Sequence, residues 1–451
     1  MRRVDHRTRA LFNRSFSIVS IAAIALMSLS LVVLIGPIFV KGSGAFVFRG
    51  TLEHRRLMLD RFNRGNRAAV EMEAKRAAAA RAPVYERLRA FEAQIDTADA
   101  EYRRQYRDDF KELKALVLEL LGPMPDEPAP VLVRQQYGQT RWDRAKVKLR
   151  GVLFIEEYDY SDPTKMGVKV LKPRVERFRG TSLEPLFGEL ERGIDAMLMP
   201  RLTWYWRFLF DESYDSHFFG GIWPEMLGTL YLAIGAMLFA IPLGIITAIY
   251  LAEYGGEGHF VSMLRTCIGS LAGVPSIVFG LFGLAFFINA AKVSESKSVL
   301  AGALTLAVLV LPTVIRASEE AIKAVPLTYK EASMSLGASK WRTILTVILP
   351  AALPGVLTSI IISMGRAAGE TAPIIFSAAV SVGKPLAVWQ TLSQPTPALP
   401  WNIYNLATEH QAIEEVRHVQ YGMVLTLVVL VLVLNLTAIM VRARVSRKLR
   451  G

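Results

Sequence analysis

The sequence predicts an all-α polytopic membrane protein with six transmembrane helices and a large α+β extracytoplasmic insertion after the first helix. Of its 451 residues, 52% are hydrophobic and 21% are charged, which indicates apolar and water-exposed parts in one chain. Six apolar runs have about the length that crosses a bilayer core, roughly 20 residues. They cover residues 16–40, 223–251, 261–291, 299–315, 345–382 and 421–441.

Residues 16–40 predict a retained transmembrane helix. A cleaved signal peptide is the alternative, but the apolar part is longer than a signal-peptide core and no Ala-x-Ala-like site follows Lys41. We therefore expect residues 1–15 on one side of the membrane and a separate domain, beginning at residue 41, on the other.

Basic residues cluster beside the first and last spans, so the formal net charge of +13 does not require a nucleic-acid partner. Positive charges accumulate in the cytoplasmic segments of membrane proteins. We therefore expect residues 1–15, the loop 316–342 and the tail 443–451 in the cytoplasm. The flanking basic residues are Arg2, Arg3, Arg7, Arg9 and Arg14 before the first run and Arg442, Arg444, Arg447, Lys448 and Arg450 after the last.

Residues 41–221 have the composition of a water-exposed domain, and the topology above places them outside the cytoplasm. Between residues 52 and 121, apolar residues recur at spacings near three and four, which predicts one or two long amphipathic helices. A Gly- and Pro-rich break follows at 122–130. The segments 131–133, 147–155 and 168–171 then predict a small β-rich lobe, to which the sequence assigns no function.

A short helix is predicted inside the loop 316–342. Pro326 opens it and Gly337 closes it, which is the usual helix punctuation. Ser339 is placed to cap a second helix that leads into the next span. A helix of ten residues cannot cross a membrane, but its apolar and charged residues suit docking into a groove on a cytoplasmic partner. An ordinary amphipathic loop helix is the alternative.

At this loop the sequence resembles the permeases of bacterial ABC importers. Glu331-Ala332-Ser333, Gly337 and the segment 347–350 match the spacing of that family's EAA loop, with Ser333 and Val347 as mild departures. The resemblance implies a coupling helix whose Glu331, Ala332 and Gly337 contact a nucleotide-binding subunit. The chain has no P-loop motif, so a separate polypeptide would hydrolyse ATP and this chain would be a transport subunit rather than an enzyme.

A second motif, Gly365 to Pro373, places Arg366 and Glu370 inside an otherwise apolar run. An ionised side chain at the centre of a membrane helix costs roughly 2.5 to 3.5 kcal/mol, so two of them close together favour a function. Their four-residue spacing puts them on one helical face, where they can pair. The guanidinium group suits phosphate oxygens, although a purely structural ion pair between helices is the alternative.

The motif Arg366-Ala-Ala-Gly-Glu370-Thr371-Ala-Pro373 resembles the PstA type of phosphate permease. The resemblance covers roughly residues 220–442 and implies that 222–442 is a transmembrane domain of five helices. It also implies that Arg366, Glu370 and Thr371 work on phosphate. Further matching segments are 242–244, 248–254, 273–283, 301–306, 311–312 and 349–355.

Ser276 is the last candidate residue of the path. Gly273, Pro275 and Ser276 interrupt a predicted span, and a helix broken at membrane depth needs protein or a polar cavity around its freed backbone groups. Ser276 would line such a cavity, or the break is a packing kink. No metal spacing is found among the six histidines, and no cofactor is expected.

The resemblance implies an assembly in a bacterial inner membrane. Its partners would be a second permease of the PstC type, two ATP-binding subunits, an extracytoplasmic phosphate-binding protein and membrane lipid, without nucleic acid. Another oxyanion is the alternative substrate. A membrane-anchored sensor or scaffold would need neither the intramembrane charges nor the EAA spacing, and a secondary transporter would need no docking helix and would usually show an inverted repeat.

Overall fold

The computed structural model describes residues 6–125, 127, 139–159, 167–256 and 258–450. The chain groups into two compact units, which are described separately. The first consists of residues 1–45, 207–213 and 221–451, and the second of residues 46–206 and 214–220.

Helices make up most of both units. The described helices are α1 (His6–Ser43), α2 (Leu52–Phe62), α3 (Arg67–Thr97), α4 (Ala100–Leu121), α5 (Trp142–Leu153), α6 (Glu184–Leu198), α7 (Trp223–Ile249), α8 (His259–Leu271), α9 (Ser276–Phe282), α10 (Val299–Lys323), α11 (Leu327–Ser335), α12 (Lys340–Thr343), α13 (Leu349–Gly369), α14 (Ala372–Ser377), α15 (Leu399–Thr408) and α16 (Ile413–Arg450).

Several of the α-helices continue directly into, or out of, a π-helical segment. A π-helical segment, Tyr250–Tyr254, extends α7, another, Gly283–Ala290, extends α9, and a third, Ile344–Ile348, joins α12 to α13. Short 3₁₀ helices lie at Arg174–Phe178, Trp206–Leu209 and Val388–Leu392. The described strands are β1 (Val47–Gly50), β2 (Phe154–Asp159), β3 (Val168–Pro173), β4 (Arg201–Trp204), β5 (Ser213–Tyr214) and β6 (Phe219–Gly220).

In the first unit, five unbroken helices are long and apolar enough to cross a membrane, and a sixth span results if one bent pair is counted. The unbroken spans are Arg14–Ser43, Trp223–Tyr254, Val299–Lys323, Lys340–Gly369 and Ile413–Arg447. The six apolar runs of the sequence therefore each correspond to one of these helices or to the bent pair.

Two predicted boundaries were wrong. The run 345–382 is not one span, because α13 ends at Gly369 and Glu370 has an extended backbone. The loop 316–342 begins later than predicted, because α10 continues to Lys323. The length of an apolar run reflects the part of a helix that lies in the membrane. The helix itself can extend beyond that part until a helix-breaking residue such as Pro326 ends it.

The bent pair lies where the sequence predicts an interrupted span. His259–Leu271 and Ser276–Ala290 meet at an angle of 103°. Pro275 has no backbone N–H and precedes the first residue of α9, so the helical hydrogen-bond ladder cannot run through it. The interruption is thus confirmed as a break in the helix.

The second unit is more helical than the sequence predicts. Residues 52–121 form three helices, α2 to α4, rather than one or two. Residues 147–153 belong to α5 instead of a strand, because the residues that pack into the core recur at helical spacing, and α6 was not predicted at all. The predicted strand 168–171 is confirmed as part of β3, which pairs antiparallel with β2. Residues 131–133 lie outside the described residues.

The core of the second unit is built around aromatic rings. Phe91 and Phe178 are fully buried, and the Phe91 ring lies 5.2 Å from the Phe110 ring. Helices α3, α4, α5 and α6 all contribute buried apolar residues to this cluster. The fold of this unit is therefore maintained by an ordinary apolar core.

His54 is buried beside this unit's small sheet of β1 and β4. Its ring meets Phe48 and Phe219 edge to face, at 5.1 and 5.4 Å. Burial lowers the pKa of His54 to about 3, with smaller contributions from the positive charges of Arg141 and Arg55. The imidazole is therefore neutral in the folded protein at neutral pH.

We predict that protonation of His54 destabilises the second unit in acid. Since the folded pKa is below the ordinary value of about 6.5, the unfolded state binds the proton first and stability falls as the pH drops from 6.5 toward 3. The free energy of unfolding should fall by roughly 2 kcal/mol between about pH 6.5 and pH 5. His54→Phe should abolish this decrease in the free energy of unfolding. Calorimetric unfolding at both pH values measures it.

His259→Phe is the control, because His259 is exposed and lies in the first unit. It should leave the pH dependence of unfolding unchanged. The prediction is contradicted if the His54 variant loses as much stability in acid as the native chain.

Candidate functional site

Arg366 and Glu370 form an ion pair at the end of α13. Arg366 Nε donates to Glu370 Oε1 at 3.2 Å, and the two side chains are 40% and 18% exposed in the isolated chain. The expectation that both lie on one helical face was wrong, because α13 ends at Gly369 and Glu370 follows it with φ −74° and ψ 132°. Among the residues that the structure describes, the guanidinium is therefore paired with Glu370 and remains partly exposed.

The packing of α13 against α10 gives the position of Arg366 along the bundle. The hydroxyl oxygens of Ser359 and Ser318 lie 3.3 Å apart where the two helices pass antiparallel. Arg366 is seven residues beyond Ser359, so it is level with Leu311, seven residues before Ser318. Leu311 is twelve residues from either end of α10, which at 1.5 Å per residue is about 18 Å from both ends.

The last helix gives a second, independent register. Arg442 Nη1 donates to Thr358 Oγ1 at 2.7 Å, and a Cβ on Gly365 would lie 3.4 Å from Asn435 Oδ1. The two contacts are seven residues apart on both helices, which again means antiparallel packing. Arg366 is therefore level with Leu434 and Asn435, inside the apolar stretch of α16 and about 10 Å from Arg442.

Asn435 is a polar residue that the sequence analysis missed. Its buried Oδ1 accepts no hydrogen bond from any part of the chain that the structure describes, and the same holds for the hydroxyl of Ser363 on α13. Both residues flank the turn that carries Arg366. A single polar residue in an apolar run is a weak indication of a functional site. Asn435 is recognised only from the packing of α16 against α13, which places it beside Gly365.

Ser276 begins α9, the second half of the bent span, and is half-buried. This helix packs closely on α14, because a Cβ on Gly280 would lie 2.9 Å from the Ala372 carbonyl oxygen. Phe279, Ala367 and Ile374 share one apolar cluster. The structure thus brings the break at Ser276 into the same region as Thr371, the half-buried residue that precedes α14.

The short helix predicted inside the loop 316–342 is present as α11. Pro326 precedes it, and Gly337 follows it with φ +85°, a left-handed conformation that glycine adopts without strain. Ser339 caps the next helix by accepting a hydrogen bond from the Arg342 amide at 3.3 Å. The predicted arrangement of a short helix, a turn at Gly337 and a second helix is therefore confirmed.

One side of α11 is bound to the spans. Lys330 Nζ donates to Glu253 at the end of the α7 span, and the hydroxyls of Ser333 and Thr343 lie 2.9 Å apart. The pairing of Glu253 with Lys330 could not be predicted from the sequence, because the partners are 77 residues apart. Glu331 and Ala332 lie on the exposed side of α11, as does Gly337 at its corner.

Large apolar side chains surround this exposed side. Leu336 is 90% exposed, and Leu327, Tyr329, Met334 and Trp341 are more than half exposed. Exposed apolar residues of this size on a short helix with a polar rim are typical of a protein-binding surface. The described residues contain no group of three or more His, Cys, Asp or Glu placed to hold a metal ion.

Comparison with known proteins agrees with both motifs. A family model described as a binding-protein-dependent transport system inner membrane component matches residues 240–451. The chain is 38% identical over 237 residues to the phosphate transport system permease protein PstA 1 of Mycobacterium tuberculosis (strain ATCC 25618 / H37Rv), covering 52% of this chain and 74% of that protein. It is 35% identical over 239 residues to the probable ABC transporter permease protein YqgI of Bacillus subtilis (strain 168), covering 51% of this chain and 80% of that protein.

This chain belongs to the PstA type of ABC transporter permeases. The family match begins within α7, so the second unit of this permease lies outside it. Among solved structures, the inward-facing MetNI methionine ABC transporter covers 50% of this chain and 94% of its own, with 17% sequence identity and a TM-score of 0.39. As an ABC permease, the protein is a multi-pass membrane subunit that works with other transporter components.

We predict that Lys330→Gln loosens α11 in this permease. Glu253 is 9% exposed at its side chain, so loss of its cationic partner leaves a mostly buried carboxylate without compensation. Amide hydrogen exchange in Leu327–Ser335 should accelerate roughly tenfold, since a hydrogen bond to a charged group contributes about 1.5 kcal/mol or more.

Lys340→Gln is the matched control, because the Lys340 ammonium lies over the Tyr254 ring at 4.7 Å, near the same helix end. It should change exchange in α11 much less. Equal protection of α11 in the native chain and in Lys330→Gln would mean that the ion pair does not hold the helix.

Proposed function

We propose that this permease forms half of the path by which an ABC importer moves inorganic phosphate across the bacterial cytoplasmic membrane. The observation that carries the proposal is Arg366, a cation level with the middle of the membrane helices and open on one side. The names of the related permeases from Mycobacterium tuberculosis and other bacteria support phosphate as the substrate.

A fixed arginine at this depth suits an oxyanion. The guanidinium fork binds two oxygens of a phosphate group at once, and a low-dielectric surrounding strengthens that interaction. Glu370 compensates the charge while the path is empty, and phosphate competes for the same guanidinium or shares it. Thr371 and Ser276 would supply hydroxyl groups to the same path.

We propose that one helical span couples ATP hydrolysis on the partner subunits to this site. The span Lys340–Gly369 starts beside the coupling helix and ends three residues after Arg366. At 1.5 Å per residue its 30 residues extend about 45 Å. A displacement of α11 by the ATP-binding subunits would therefore reach Arg366 through a continuous helix, with Glu331, Ala332 and Gly337 as the contacts.

The orientation in the membrane follows from charge and helix number. We place both termini and α11 in the cytoplasm, and residues 41–221 outside it, because basic residues flank the first and last spans and six spans return the chain to its starting side. A second permease of the PstC type, two ATP-binding subunits and an extracytoplasmic phosphate-binding protein complete the proposed importer. ATP hydrolysis then takes place on the separate subunits.

We predict that Arg366→Gln abolishes phosphate import. The test is ATP-dependent uptake of radiolabelled phosphate into vesicles that contain the complete transporter, with sulfate as a competing oxyanion. Uptake should fall at least about a hundredfold, because loss of one charge-assisted contact to an ion in transit costs roughly 3 kcal/mol. Excess sulfate should leave native uptake unchanged.

The matched control is Arg417→Gln, which removes an arginine whose ion pair with Glu414 is exposed. It should transport normally, and assembly of all variants is checked by co-purification of the ATP-binding subunits. Normal uptake by Arg366→Gln would make the ion pair structural, and native vesicles that import sulfate but not phosphate would refute the substrate.

A further inference from the structure

One face of the sheet formed by β1 and β4 is exposed and largely apolar. The two strands pair antiparallel, with Val47 opposite Trp204 and Arg49 opposite Leu202. Side chains two residues apart on a strand share a face, so these four residues lie on one side of the sheet, named here the outer face. Leu202 is 77% exposed and Trp204 is 73% exposed, and Val47 and Arg49 are exposed as well.

The opposite face of the same sheet belongs to the core of the second unit. Phe48, which lies between Val47 and Arg49 on β1, is buried, and its ring is 5.1 Å from the His54 ring. The sheet is therefore anchored on one side. Contiguous apolar side chains that remain exposed on an ordered element mark an interaction surface.

The end of α1 and the beginning of the apolar part of α16 mark one boundary of the membrane. Lys41 Nζ donates to the Tyr421 hydroxyl at 3.4 Å and lies 5.0 Å from the centre of its ring. Lys41 directly follows the apolar run 16–40, and Tyr421 begins the run 421–441. Tyrosine rings and long lysine side chains are typical of the interface between lipid and water. The two apolar runs therefore end at the same level.

Short links join both strands of the sheet to this boundary. Ala45 and Phe208 pack beside Gly422, where a Cβ would lie 2.5 Å from Ala45 Cβ and 3.0 Å from Phe208 Cζ. Val47 follows Ala45 by two residues, and Trp206, which is 55% exposed, precedes Phe208 by two residues. A link of two residues extends at most about 7 Å. Chain length alone thus tethers the sheet near the membrane surface at both of its strands.

We propose that the outer face lies on the lipid bilayer, with Leu202 and Trp204 in the headgroup region and Arg49 beside lipid phosphates. Tryptophan is typical of this region, because its ring is apolar and its N–H donates a hydrogen bond. An exposed arginine on the same face can pair with a lipid phosphate. The tether favours lipid over a protein partner, because each chain brings this face to the bilayer by itself.

The test attaches an environment-sensitive NBD fluorophore to Leu202→Cys in a chain whose exposed Cys267 is replaced by serine. The complete transporter, with the accessible cysteines of its other subunits replaced, is placed in phosphatidylcholine vesicles. Lipids with a nitroxide in the headgroup should quench this probe and shift no fluorescence to iodide, a quencher confined to water. Its emission should also lie at shorter wavelength than that of a probe in water.

Thr97→Cys is the matched control, because Thr97 is an exposed residue of the same unit. Glu73 pairs with Arg201 of β4 at 2.8 Å, and Thr97 lies 24 residues further along α3, which is about 36 Å. A probe at Thr97 should be quenched by iodide and not by the nitroxide lipids.

Two outcomes overturn the proposal. Quenching of the probe at position 202 by iodide would mean that the outer face is in water, and protection from both quenchers would mean that a protein covers it. Because the fluorophore is itself apolar, photoactivatable phosphatidylcholine tests the chain without it. Crosslinks to Arg201–Trp204, mapped by mass spectrometry, should be lost in the double variant Leu202→Gln with Trp204→Gln, and unchanged crosslinks would also overturn the proposal. Neither readout depends on the transported substrate.

Discussion

The pairing of Arg366 with Glu370 is the interaction on which the rest of this permease depends. A charge at membrane depth cannot be solvated by lipid, so the surrounding helices must supply a counter-ion and close packing. The break in the chain after Gly369 allows this, because it frees Glu370 from the helix while keeping its carboxylate 3.2 Å from the guanidinium. The bent span on the other side, with Pro275 at its break, brings a second interrupted helix to the same region.

A chain of contacts also connects this pair to α11. Helix α11 is held on one side by Glu253 and Thr343, and Thr343 lies in the first turn of the helical span that leads to Arg366. The side of α11 facing away from these contacts carries Glu331 and Ala332 and is flanked by exposed apolar side chains. Such an arrangement lets a docked subunit move the helix that carries the central cation, without a separate transmitting element.

The sequence predicted the elements with strong local signals. Long apolar runs located the spans, Pro326 and Gly337 located α11, and the charges inside an apolar run located the candidate cation. It could not predict pairings between distant residues, such as Lys330 with Glu253 or Arg442 with Thr358, because the intervening fold determines them. In the second unit, α5 was predicted as a strand although its buried residues recur at helical spacing, and α6, whose buried residues recur at the same spacing, was not predicted.

The central claim is that Arg366 acts on the transported anion and is not only one half of a structural pair. The most direct measurement is phosphate uptake by the exchanged double variant Arg366→Glu with Glu370→Arg, compared with the native transporter after both are shown to assemble. The exchange retains an ion pair but moves the cation out of α13 and places a carboxylate where phosphate should bind. We expect assembly without uptake, whereas uptake near the native rate would show that the pair serves only to hold the helices together.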